Sequence, residues 1–93
     1  MTTTILIPTP LRQFTNNSDS VAVEAGTVGE ALASLCSKFA PLKRHLYTDD
    51  GKLRTFVNVY LNDEDIRYLQ KESTPLKEKD ILSIIPSIAG GKD

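Results

Sequence analysis

The sequence has little cysteine, little histidine and no excess of one charge. Cys36 is the one cysteine among the 93 residues, so no disulfide can form within the chain. Cys36 and the one histidine, His45, could bind zinc only with several carboxylates besides. Eleven lysine and arginine residues face twelve aspartate and glutamate residues, for a net charge of −1. This balance gives no overall electrostatic reason to bind nucleic acid or an anionic membrane, and we expect neither partner.

Long hydrophobic runs are absent too. A transmembrane helix needs about 18 or more apolar residues in a row, and none occurs. The first residues, "MTTTILIPTPL", lack the basic region and apolar stretch of a signal peptide, so we expect a cytoplasmic protein. Single domains typically hold about 100–150 residues. We therefore predict one domain at residues 1–88 and a flexible C-terminal tail at residues 89–93.

Residue patterns typical of an enzyme are missing. A catalytic triad needs a nucleophile, a base and an orienting group in one pocket, whereas His45 lies in a charged connection that predicts a surface side chain. The acidic run "NDED" at 62–65 lacks the glycine and the bidentate glutamate of a calcium loop, and a solvated turn is the better interpretation. No glycine-rich phosphate loop follows a strand. We expect no bound cofactor, no metal and no catalytic activity.

The clearest local signal predicts a helix that begins near Thr27 and ends before Pro41. Thr27 and Glu30 have the spacing of a capping box, in which each side chain accepts a hydrogen bond from a free backbone N–H. Apolar residues then recur on one helical face: Val28, Ala31, Leu32, Leu35, Cys36 and Phe39. Because Cys36 belongs to this stripe, we predict a core position, a raised thiol pKa and no reactivity.

Four segments have the β-branched content or the alternation of strands, at residues 2–8, 20–25, 54–63 and 80–88. "DIRYL" at 65–69 predicts a fifth, short strand. A loop is expected at 12–20, and the connection at 41–53 has room for one short helical turn. One helix can cover only one face of a sheet, which indicates an α+β fold. The first and last strands can pair in parallel at the centre, and this arrangement is the β-grasp, or ubiquitin-like, fold.

The glycine pair Gly90-Gly91 follows the last predicted strand. Without side chains, such a segment can thread a narrow channel and present a carboxylate at another protein's active site. A carboxylate is inert until it is activated, most simply as an acyl-adenylate made by a partner that binds ATP. From the spacing alone, a frayed glycine-rich terminus is the favoured interpretation.

Three stretches together resemble the MoaD/ThiS family of ubiquitin-like sulfur carrier proteins. They are "ILIPTPLR" at 5–12, "FVNVYLNDEDIRYL" at 56–69 and "PLKEKDILSIIPSIAGG" at 75–91. The resemblance covers nearly the whole chain and is strongest with the CysO-type subgroup of cysteine biosynthesis. It implies a β-grasp fold and a protein cosubstrate. An E1-like enzyme would adenylate the terminal glycine with ATP, and a sulfur donor would convert it to a thiocarboxylate.

By this resemblance the reacting carbonyl belongs to Gly91, and Gly90 gives clearance in the partner's channel. The thiocarboxylate would serve a sulfur-accepting synthase, with a cysteine-synthase-like enzyme favoured, and a metalloprotease would release the product. The residues expected to dock partners are Phe56, Tyr60, Ile85 and Ile88. An ordinary half-exposed sheet face or a second small core explains these four equally well.

Two positions depart from the family's pattern. Lys79 stands where the family commonly has glycine before the aspartate of the last strand, which bears on turn geometry. Lys92 and Asp93 follow Gly91, so the Gly91 carboxyl group lies in a peptide bond. We hypothesise that a JAMM-type or similar protease cuts between Gly91 and Lys92.

Other functions remain open at this point. The chain could be a ubiquitin-like modifier joined to lysines through Gly91. It could also be the small subunit of molybdopterin synthase, the sulfur carrier for the thiamin thiazole, or an interaction module in which the glycine pair is incidental.

Overall fold

The computed structural model describes residues 2–55 and 57–86. Its strands and helices are β1 (Thr2–Leu6), β2 (Ser20–Glu24), α1 (Val28–Lys38), α2 (Lys43–Leu46), β3 (Val57–Leu61), β4 (Glu64–Asp65) and β5 (Ile81–Pro86). Short 3-10 helices lie at Thr9–Phe14, Ala40–Leu42, Ile66–Tyr68 and Lys71–Ser73. No helix in this part of the chain is long and apolar enough to cross a membrane.

The strands form one mixed sheet in the order β2-β1-β5-β3-β4. β1 and β5 are parallel at the centre, with Ile5 opposite Leu82, and the other neighbours are antiparallel. Parallel neighbours need a long crossover connection, and α1 lies within the one that separates these two strands. The predicted α+β class, the β-grasp arrangement and the central parallel pair are confirmed.

Helix α1 begins as the capping residues predict. The Thr27 hydroxyl accepts a hydrogen bond from the Glu30 N–H at 3.2 Å, and the Glu30 carboxylate accepts one from the Gly26 N–H at 2.8 Å. The Glu30 contact is made one residue earlier than in the usual capping box. The helix buries one face against the sheet through four residues: Val28, Ala31, Leu32 and Leu35.

Cys36 and His45 differ from their predicted positions. Cys36 packs at the margin of the core and is half-buried, unlike the four buried residues that precede it in α1. Burial still raises the pKa of its thiol, as expected. His45 is half-buried rather than fully exposed, since its ring stacks on Phe14 with centroids 4.3 Å apart.

The predicted strand at 65–69 is wrong. Residues Ile66–Tyr68 form a 3-10 helix, and the strand that pairs with β3 is the shorter β4 before it. The cause is local, because the Asp65 carboxylate accepts a hydrogen bond from the Arg67 N–H at 2.9 Å and turns the backbone. A 3-10 helix also occupies Thr9–Phe14, the start of the expected loop, where Pro10 suits the first turn.

Alternation along the strands divides the sheet into an inner and an outer face. The inner face packs on α1, and its side chains are almost completely buried: Ile5, Val23, Val57, Val59, Leu82 and Ile84. The outer face carries the residues between them, including Leu6, Asn58, Tyr60, Ser83 and Ile85. In β5, Leu82 and Ile84 are buried on the inner face, whereas Ser83 and Ile85 lie on the outer face.

Candidate docking face and C-terminal tail

Strand β5 is the last described element before the predicted reactive residues. Gly90, Gly91 and Lys92 lie outside the described residues, and the roles proposed for them stay predictions. The same holds for Phe56 and Ile88, two of the four docking candidates.

The strand that precedes the tail is anchored on both sides. β5 lies between β1 and β3, and its last residue, Pro86, is paired with Val57. Four residues lie between Pro86 and Gly91, and the five residue-to-residue steps from one to the other span at most about 17 Å when the chain is extended. A protein that acts on Gly91 therefore works within about 17 Å of the end of β5, close to the sheet surface that Ile85 occupies.

Apolar side chains are exposed on the outer face of the sheet. Ile85 is 48% exposed, Leu6 42% and Ile81 41%, and Tyr60 is half-buried. Leu6 and Tyr60 lie on opposite sides of Ser83 in register, so they flank the central strand at one level. We call Leu6, Tyr60, Ile81 and Ile85 the outer-face patch.

The outer-face patch includes two residues that sequence reasoning missed. Tyr60 and Ile85 were both expected on this face, whereas Leu6 and Ile81 were not considered. Strand alternation could have identified Leu6, because Ile5 and Ile7 on either side of it are buried and a strand points alternate residues to opposite faces. The same alternation places Ile81 on this face, because it lies two residues before Ser83 in β5 and its neighbour Leu82 is buried. Exposed apolar clusters of this kind are typical of interaction sites.

A polar network borders the patch beside Ile85. Asn58 is the cross-strand partner of Ile85, and its side-chain oxygen accepts a hydrogen bond from Arg67 Nη2 at 2.6 Å. The same Nη2 donates to the buried Asp65 carboxylate at 2.8 Å. Hydrogen bonding from the Arg67 side chain holds the pKa of Asp65 below its ordinary value. The network keeps Asp65 ionised and fixes Asn58 next to the patch.

The turn before β5 shows why glycine suits the position that Lys79 occupies in this chain. The Asp80 carboxylate accepts a hydrogen bond from the Lys77 N–H at 2.8 Å, and the Asp80 N–H donates to the Lys77 carbonyl at 3.1 Å. This tight turn places Lys79 at φ = 72°, in the left-handed region that glycine enters without steric cost. Glycine is therefore the natural residue at this position.

The acidic run at 62–65 was expected to be a turn, and the turn is confined to its first two residues, because Glu64–Asp65 is strand β4. Asn62 and Asp63 join β3 to β4, and Asn62 has φ = 58°. The Asn62 N–H donates to the Ile81 carbonyl at 2.7 Å, which ties the turn to β5. Within residues 2–55 and 57–86, no group of histidine, cysteine and carboxylate side chains could hold a metal ion.

Comparison with known proteins identifies a family. The ThiS family model matches residues 5–91, so the match ends at Gly91 and leaves out Lys92 and Asp93. The sulfur carrier protein CysO of Mycobacterium tuberculosis is 36% identical, over 98% of this chain and 100% of the relative. Small archaeal modifier protein 3 of Haloferax volcanii is 35% identical, over 70% of each chain.

Solved structures give the same fold. A chain in the crystal structure of the Amycolatopsis orientalis BexX/CysO complex superposes with a TM-score of 0.86 and 39% identity, covering 96% of this chain and 99% of its own. SAMP1 of Haloferax volcanii superposes with a TM-score of 0.85 and 26% identity, covering 98% and 100%.

Proposed function

The chain belongs to the ThiS family, and from this we propose that it is a sulfur carrier protein, a substrate of partner enzymes and not a catalyst. The observation that carries the proposal is the family match, which runs from residue 5 to Gly91. The similarity to CysO of Mycobacterium tuberculosis favours cysteine biosynthesis as the pathway.

The proposed chemistry takes place at the Gly91 carboxyl group. A partner enzyme transfers AMP from ATP to the carboxylate and releases pyrophosphate. A sulfur donor then displaces AMP, which leaves a thiocarboxylate at Gly91. Its sulfur is ionised at neutral pH and is a good nucleophile, as a thiolate is. It attacks an activated carbon atom held by a sulfur-accepting synthase.

Processing must come before activation. Lys92 follows Gly91 in the sequence, and adenylation requires a free carboxylate. We propose that a JAMM-type or similar protease cleaves the Gly91–Lys92 bond. Gly90 has no side chain, so it leaves room for the backbone in a narrow channel.

We assign the outer-face patch to the E1-like activating enzyme. Ile85 lies one residue before the end of β5, so an enzyme that holds Gly91 is in reach of it. Half-exposed Ile85 can bury additional apolar surface on docking, and well-packed apolar side chains carry much of the binding energy of an interface.

The experiment uses a variant that ends at Gly91. It is incubated with ATP, a sulfide donor and the activating enzyme of the same organism, and intact mass is measured. We expect the mass increase of sulfur replacing oxygen, which the variant ending at Gly90 should not give. Ile85→Ala should slow the reaction about tenfold if docking on this residue contributes about 1.4 kcal/mol. Protein isolated from the native host that never carries a Gly91 end or a thiocarboxylate would contradict the proposal.

A second function is favoured by one comparison. Small archaeal modifier protein 3 of Haloferax volcanii is similar over 70% of the chain, and a modifier would use the same Gly91 carboxylate. In that case, mass spectrometry of cell extracts should find Gly91 joined to lysine side chains of other proteins. Thiocarboxylate without such conjugates favours the sulfur carrier.

A further inference from the structure

A groove of about 380 Å³ lies beside the edge of the sheet at β3. Its apolar floor is formed by Leu53, Val57, Val59 and Ile66. Val57 and Val59 point to the inner side of the sheet, whereas Asn58 and Tyr60 point to the outer side. Val57 and Val59 thus place the groove floor on the inner side of β3, whereas Arg67, which also lines the groove, reaches the outer side through its hydrogen bond to Asn58.

The groove follows a part of β3 that β4 does not reach. β4 pairs with Tyr60 and Leu61 of β3. Within the described residues, no strand pairs with β3 at Val57 and Val59 on the edge that faces away from β5. The segment 52–55 forms the other wall, and the Arg54 carbonyl accepts a hydrogen bond from the Val57 N–H at 3.0 Å. The result is an open channel along the strand, a setting in which extended peptides bind to other proteins.

More basic than acidic residues line this channel. The groove is lined by four basic residues, Lys52, Arg54, Arg67 and Lys71, and by two acidic ones, Asp65 and Glu72. Of the acids, Asp65 is buried and already bonded to Arg67. The whole chain has a net charge of −1, so the excess of cations here is local.

Two of these cations are available to a partner. Lys52 and Lys71 are exposed, and in the described part of the chain neither forms an ion pair. The two arginines are held in place instead. Arg54 Nε donates to the Arg44 carbonyl at 2.9 Å, and Arg67 is held by Asp65. The groove thus combines two hydrogen-bonded arginines with two exposed lysines above an apolar floor.

We propose that this groove binds an acidic peptide segment of a partner protein. Its volume is at the low end of the range for small-molecule pockets, enough for an apolar side chain with acidic neighbours on both sides. The proposal does not depend on the sulfur carrier function.

The test is an NMR titration of the full-length ¹⁵N-labelled protein with the capped peptide EELLEE. We expect saturable shifts at the amides of Leu53, Val57 and Ile66, and an affinity that falls as NaCl is raised. Lys52→Glu combined with Lys71→Glu should weaken binding about tenfold or more, since two attractive contacts become repulsive. The spectrum of the unbound variant shows whether it folds like the wild type.

The matched control changes the same amount of charge elsewhere. Lys43→Glu combined with Lys77→Glu replaces two exposed lysines outside the groove and should keep the affinity of the wild type. Equal loss in both variants, equal binding of the peptide KKLLKK, or shifts centred on Ile85 would overturn the proposal. So would the absence of saturation at millimolar peptide.

Two other occupants would also overturn the proposal. If a chain cut after Pro86 shifts the groove amides without added peptide, the protein's own tail is the occupant. If those amides shift with protein concentration alone, a second copy of the chain occupies the groove.

Discussion

Two substitutions on the central strand β5 test the assignment of its faces. Leu82 is completely buried, and Ile85 is 48% exposed. Replacement of a fully buried leucine by alanine costs about 3–5 kcal/mol, because it removes apolar contacts and leaves a cavity. Ile85→Ala removes three carbon atoms at about 0.8 kcal/mol each when fully buried. Half exposure reduces this cost to about 1 kcal/mol.

The assay is urea denaturation monitored by far-UV circular dichroism. Free energies of unfolding are compared with one m value, the slope of the free energy against urea concentration, for all variants. For a domain of this size, about 1 kcal/mol corresponds to a shift of about 4–8 °C in Tm. We expect Leu82→Ala to have a much lower free energy of unfolding than Ile85→Ala. Of the two variants, only Ile85→Ala should combine near-native stability with slow formation of the thiocarboxylate by the activating enzyme. If the two substitutions lower the free energy of unfolding by the same amount, Ile85 belongs to a second core, and the docking assignment is refuted.

Two further predictions concern charge and backbone geometry. Asp65→Asn should destabilise the protein at pH 7, because it removes the carboxylate that Arg67 bonds. The pKa of Asp65 is lowered in the folded protein. The wild type should therefore exceed the variant in free energy of unfolding by the full amount above the ordinary aspartate pKa, and this difference should shrink as the pH falls below about 4. A difference in free energy of unfolding that does not change with pH would contradict this. Lys79→Gly should raise the free energy of unfolding by up to about 1 kcal/mol, because relief of the left-handed conformation exceeds the entropy that glycine adds to the unfolded chain. Calorimetry measures the effect, and an unchanged or lower Tm would show that the turn carries no such strain.

Patterns within one segment predicted most of the fold. The capping residues Thr27 and Glu30 and the apolar spacing after them located α1, because both are interactions between neighbours in the chain. The parallel pairing of β1 with β5 followed from the crossover between them. The error at 65–69 arose because "DIRYL" has the apolar content of a strand, while the hydrogen bond that the Arg67 N–H donates to the Asp65 carboxylate favours a turn.

The candidate sites were predicted less completely, since they combine distant residues. The glycine pair is contiguous and could be recognised from the sequence. Leu6 and Tyr60 meet across β5 only once the register is known. The basic residues of the groove come from separate segments, with Lys52 and Lys71 far apart in the chain, so no local charge run indicated a groove.

The place of β5 in the sheet has a consequence for biosynthesis. β1 and β2 form one antiparallel pair and β3 and β4 another, and β5 is the strand that joins the two pairs. A ribosome makes β5 last among the described strands, so the nascent chain cannot close its sheet until this segment has emerged. A copy cut short before Ile81 would have two separate hairpins, and isolated hairpins are marginally stable in water. Any copy with a complete outer-face patch has therefore been translated at least through β5, and three residues lie between the end of β5 and the Gly90-Gly91 segment.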